Sequence, residues 1–166
     1  MKNVIKMLNE LKDKELIKDY AIGGAIATLR WTEPFFTRDL DVFIVFEQKE
    51  SEDKLIILSP IYDYFENKGY LWEGQWIVID GVPVDFIPVN GLEKEAVDNA
   101  KEAEFETIKT KVITPEYLIT LFLNAGRDKD MRKIQMLLEQ APIDRNKLND
   151  ILDRYSLKEK LWKTIK

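Results

Sequence analysis

The stretch Leu40–Phe46, LDVFIVF, is apolar on both alternating faces. A strand of that kind cannot lie at a solvent-facing edge. It needs cover above and below, so the spacing predicts a central strand in a sheet with helices on its faces. At its mouth stand two carboxylates, Asp39 and Asp41, in FTRDLDVFIVF. Residues two apart on a strand share a face at about 6.5 Å, so both acids are expected to point the same way. Two carboxylates held together away from water repel each other and lose hydration, and a divalent cation is one of the few agents that reverses that cost.

The chain has 166 residues, a net charge of −5, no cysteine and no histidine. Those absences remove disulfides, thiol nucleophiles, Ser-His-Asp catalysis and histidine-ligated metals, and leave carboxylates, lysines and hydroxyls to carry any chemistry. The acidic balance argues against a protein-wide nucleic-acid footprint. The charged N-terminus lacks the apolar core of a signal peptide, and no apolar run is long enough to span a membrane, so a cytoplasmic protein is expected.

Around the central strand, periodicity predicts an amphipathic helix over roughly the first 17 residues, then strand, Gly23-Gly24 turn and a small-residue helix from Ala25 to Leu29. An acidic loop follows Phe46. Ser59 as N-cap and Pro60 as first helical residue predict a helix over about Pro60–Lys68. Asp80-Gly81 is expected to join strands Trp76–Ile79 and Val82–Val89 in a tight hairpin. A short helix over Leu92–Lys101 and a single near-edge strand in FETIKTKVI come next. Thr114-Pro115 opens a helix that Gly126 stops, and helical segments follow at about Asp128–Gln140, Asp144–Tyr155 and Leu157–Ile165. The expected class is α+β, with a core over residues 1–110 and a packed helical region over 111–166.

Asp85, a lone acid inside the apolar strand GVPVDFIPV, is the natural third carboxylate beside Asp39 and Asp41, since two-metal sites need oxygen ligands from several acids. A Gly-Gly turn entering a helix lets backbone N–H groups approach phosphates. Each feature has a plain structural reading on its own: a strand-start acid pair, a turn, a hydrogen-bonded acid.

Together, AIGGAIATLRWTEPFFTRDLDVFIVF, GVPVDFIPV and ITPEYLITLFLNAGRDKDMRKIQMLL resemble, in that order, the segments of the nucleotidyltransferase superfamily, in particular the small proteins grouped with the AbiEii abortive-infection toxins. The resemblance spans about residues 20–140. It implies a mixed sheet flanked by helices and followed by a helical segment, with Mg²⁺ or Mn²⁺ held by Asp39, Asp41 and Asp85. A nucleoside triphosphate would contact Gly23, Gly24, Thr37, Arg127, Lys129 and Asp130, and a nucleotidyl group would pass to an RNA or protein acceptor, with a cognate antitoxin as partner. The chain departs from the pattern at Phe35 and Phe122, where basic residues are common, and at Lys133, where an aspartate is common. Arg30 and Arg38 are the candidate substitute cations. The alternatives are a degenerate nucleotidyltransferase fold that binds nucleotide or partner without catalysis, and an interaction module presenting Tyr70, Trp72 and Trp76.

Overall fold

The computed structural model describes residues 1–46, 54–89 and 91–165, with backbone alone at 54–57. The acidic loop expected after Phe46 and the terminal Lys166 lie outside the described residues. Helix α1 (Lys2–Asp13) buries Val4, Ile5, Leu8 and Leu11 along one face. It ends earlier than the sequence suggests because Glu15 turns left-handed, at φ 56°, and the amide of Leu16 folds back onto the Leu11 carbonyl. Strand β1 (Asp19–Ile22) leads through Gly23 into α2 (Gly24–Thr28), and β2 (Leu40–Val45) follows.

Helix α3 spans Lys54–Asn67 with Pro60 inside it, so Ser59 and Pro60 do not open the helix. An interior proline removes one backbone hydrogen bond, yet Leu58, Ile61 and Phe65, three and seven residues apart, are all buried in the core. That apolar stripe keeps the segment helical through the proline. Next come β3 (Trp72–Glu73), β4 (Trp76–Ile79), β5 (Val82–Pro88), α4 (Gly91–Asp98), β6 (Lys101–Phe105) and β7 (Ile108–Val112). Lys101 therefore begins a strand rather than ending a helix. The single strand expected in FETIKTKVI is a hairpin, turned at Glu106 and Thr107 with φ 46° and 73°. The expected hairpin at Asp80-Gly81 forms, with φ 50° and 78°.

The seven strands make one mixed sheet in the order β3-β4-β5-β2-β1-β7-β6, which places β2 in the middle. Val42 to Val45 are buried there, as two-sided cover requires. β2 runs antiparallel to β1 and parallel to β5, and in the β2–β5 register Asp41 lies directly opposite Asp85. The chain closes with α5 (Pro115–Ala125), a 3₁₀ turn (Asp128–Asp130), α6 (Met131–Gln140), α7 (Arg145–Arg154) and α8 (Lys158–Thr164). Gly126 stops α5 in the left-handed conformation, at φ 65°. Helix α5 packs on α2 and α4, and α6 touches α2, so these helices lie against the sheet layer. Among the described residues no helix is long and apolar enough to cross a membrane.

Glu95 of α4 ties the two regions together. Its carboxylate accepts from Tyr117 at 2.7 Å, from Tyr155 at 2.7 Å and from both terminal nitrogens of Arg154 at 2.6 and 2.8 Å. The Arg154 fork, with the two hydroxyls, draws its pKa from 4.5 down to about 2 despite the opposing effect of burial. A carboxylate depressed on folding contributes stability that is complete above its unfolded value and is lost as pH falls through the folded one. Glu95→Gln is expected to lower the melting temperature at pH 7, with the difference from wild type closing between pH 4.5 and 2. Equal melting curves at pH 7 would show that the network holds nothing.

Candidate active site

A cavity of about 450 Å³ opens beside the N-terminal end of β2. Asp39, Asp41 and Asp85 line it together with Arg127, Lys129, Arg132 and Lys133 from the α5–α6 turn and α6. Phe35, Phe36 and Thr37 reach it from the segment between α2 and β2. That segment is pinned where the Glu33 amide donates to Gln140 Oε1 at 2.7 Å and Trp31 Nε1 donates to the Ile113 carbonyl at 3.3 Å. A second cavity, of about 210 Å³, shares Asp41, Asp85, Phe122 and Arg127 with the first and adds Gly24 and Glu93.

Asp41 does not titrate like a surface carboxylate. Asp41 is pushed from 3.8 up to about 6, first by burial and then by the charge of Asp85; Arg127 opposes the shift, while Asp39 and Asp130 add to it. Asp85 Oδ2 accepts from Gln75 Nε2 at 2.9 Å. Asp39 sits one residue before the ladder of β2 begins, so its place beside Asp41 comes from the end of the loop rather than from the strand itself.

The glycines are explained by contact. Gly24 has φ +56°, and a Cβ built there would land on the Asp41 carboxylate; a Cβ on Gly23 would land on the ring of Phe43. The turn is thus packed directly onto β2, and the Gly23 amide donates to the Asp41 carbonyl at 3.0 Å. That amide is committed to the sheet, which leaves Gly24 and the residues after it as the ones whose first-turn N–H groups lack a partner within the helix.

Buried Asp130 accepts from Arg127 Nε at 2.6 Å and from Lys133 Nζ at 2.7 Å. Lys133 Nζ stands 5.5 Å from the centroid of the Phe122 ring. The three carboxylates offer only oxygen donors, which suit hard cations such as Mg²⁺ or Mn²⁺, and a bound cation would offset the cost that burial and the charge of Asp85 impose on Asp41. Among the described residues no three acids are gathered closely enough to form a preassembled metal cage.

A family model described as "Nucleotidyl transferase of unknown function (DUF2204)" matches residues 1–161. The chain belongs to this nucleotidyl transferase family. Two solved structures share the fold of this family member. An antigenic nucleotidyltransferase-like protein from Paracoccidioides brasiliensis is 18% identical, with a TM-score of 0.53 over 98% of this chain and 90% of its own. ANT(2″)-Ia, solved in complex with adenylyl-2″-tobramycin, is 13% identical, with a TM-score of 0.53 over 96% of this chain and 97% of its own. Both match the mixed sheet flanked by helices and followed by a helical region. No curated protein matches the chain by sequence.

In this member of the family, the structure brings Asp39, Asp41, Asp85, Thr37, Arg127, Lys129 and Asp130 to one cavity. Gly24 lines the smaller cavity beside it, and Gly23 lies behind, against Phe43. Arg30 and Arg38, named as substitute cations, line neither cavity; Arg30 stacks on Trp31, 5.4 Å from the ring centroid. Of the aromatic residues proposed as a partner surface, Trp72 packs on Tyr62 and Phe86 and Tyr70 on Phe65, while Trp76 lines the cavity. Gln75 and Arg132 also line the cavity, and a glutamine at a turn or an arginine on a helix carries no local signal of a site.

Proposed function

We propose that the protein is a divalent-metal-dependent nucleotidyltransferase that moves an NMP group from an NTP to an acceptor hydroxyl or phosphate and releases pyrophosphate. The observation that carries this reading is the register of β2 and β5, which sets Asp41 opposite Asp85 in a cavity that four basic side chains also line. Asp39, Asp41 and Asp85 would hold the ion; Mg²⁺ or Mn²⁺, when bound, would offset their repulsion and polarise phosphoryl oxygens. Arg127 and Lys129 offer fork and point donors to the triphosphate, with Thr37 and the Gly24 amide as neutral donors. With no histidine in the chain, proton removal from the acceptor falls to a carboxylate, and Asp85, oriented by Gln75, is the best placed.

The fold holds a nucleotidylated small molecule in ANT(2″)-Ia, which supports small acceptors alongside RNA or protein. The order of the Gly-Gly, T-x-D-x-D and Gly-Arg-x-Lys-Asp segments supports an AbiEii-like setting, cytoplasmic, with an antitoxin as partner. Phe35 in the cavity wall favours a second reading, a binder without turnover.

Incubation with α-labelled NTPs, Mn²⁺ and an RNA and protein extract is expected to give labelled acceptor, and Asp85→Asn to abolish it. A thermal shift with MgNTP but no label transfer would favour the binder. No response to any NTP with either metal would sink both readings.

A further inference from the structure

Resting on the nucleotidyl-transfer reading above, we propose that Lys133 is a phosphate-binding residue of this site, seated on Phe122 and aimed by Asp130 to grip the polyphosphate of the nucleotide together with Arg127. The Lys133 side chain is only 17% exposed, and Asp130 is 1% exposed. An ammonium is not withdrawn from water without partners, and here three hold it: Asp130 Oδ1 at 2.7 Å, the Lys129 carbonyl at 3.3 Å and the face of Phe122. Hydrogen bonds to those two oxygens use two of its three N–H donors and leave the third for the cavity that it lines.

Charge counting points the same way. One buried carboxylate serves two cations, since Asp130 Oδ2 takes Arg127 Nε at 2.6 Å while Oδ1 takes Lys133. A carboxylate needed only for structure is neutralised by Arg127 alone. With the second cation, Arg127, Lys133 and Asp130 together carry a net positive charge in the cavity that Asp39, Asp41 and Asp85 also line. Arg127 holds Asp130 through Nε alone, and its terminal nitrogens make no hydrogen bond among the described residues, while its charge acts on Asp41. A flexible chain of phosphates bridging a metal held by the acids and this pair of cations is the ligand chemistry that such a division of charge accepts. Lys133 thus supplies, from α6, a cation seated over the ring of Phe122 of α5, 5.5 Å from its centroid.

The test uses Mg²⁺-tripolyphosphate and each of the four MgNTPs as probes, read by calorimetry, with KM and kcat where transfer is seen. Lys133→Gln is expected to weaken tripolyphosphate binding tenfold to a hundredfold, the range of one charge-assisted hydrogen bond. It is expected to raise KM with kcat little changed, and Lys133→Arg to recover most of the loss. Because Lys133→Gln strips a partner from buried Asp130, the comparison is repeated between Asp130→Asn and Asp130→Asn/Lys133→Met, a pair in which no carboxylate is left uncompensated. Wild-type affinity in both Lys133 variants would overturn the proposal and leave the transfer reading standing. Failure of the wild-type protein to bind any probe would overturn both.

Discussion

Asp41→Asn is expected to make the metal-free protein more stable while removing its activity. Burial and the charge of Asp85 raise Asp41 from 3.8 to about 6. The folded state therefore keeps a proton that the unfolded state releases, and stability falls as pH rises from 3.8 through 6, with the full penalty present at neutral pH. A shift of about two units corresponds to at most about 3 kcal/mol. Asp41 is partly open to solvent, so about 1–2 kcal/mol is the realistic gain on neutralising it, or roughly 3–6 °C in Tm for a chain of this size. Added Mg²⁺ or Mn²⁺ should stabilise wild type and leave the variant unmoved. Under the proposed function, in which Asp41 holds the ion, transfer should fall more than about a hundredfold, since losing a metal ligand removes several kcal/mol of transition-state stabilisation. A less stable Asp41→Asn protein at pH 7, in the absence of metal, would contradict the repulsion argued here.

Gly24→Ala is expected to damage fold and site together. The backbone at φ +56° costs a non-glycine residue about 1 kcal/mol, and the new methyl would occupy the position of the Asp41 carboxylate. Overpacking of that kind costs about 1–3 kcal/mol, so a loss of about 2–4 kcal/mol and a metal response weakened with it are expected. Gly69→Ala is the control: its φ is +83°, but nothing lies within 4 Å of the added Cβ, so only the backbone term of about 1 kcal/mol applies. Equal losses in the two variants, measured by denaturant unfolding, would show that strain alone explains Gly24.

These effects trace to features of different legibility. The apolar strand Leu40–Phe46, the carboxylates at its mouth, the Asp80-Gly81 turn and the Gly126 stop carry their signal in a few adjacent residues, because side-chain alternation and left-handed backbone are local properties. The hairpin at Glu106-Thr107 was not legible, since its left-handed turn uses neither glycine nor asparagine. The helix through Pro60 was not legible either, since its retention depends on Leu58, Ile61 and Phe65 finding a core.

A central apolar strand opening on two acids, a third acid on another apolar strand and the absence of histidine and cysteine are all written in the order of residues. The meeting of Asp85 with Asp41, the commitment of the Gly23 amide to the sheet and the seating of Lys133 on Phe122 arise from how the elements pack. Strand order, register and the approach of one helix to another depend on contacts between residues tens of positions apart, and no local pattern of side chains encodes which of those distant partners will meet.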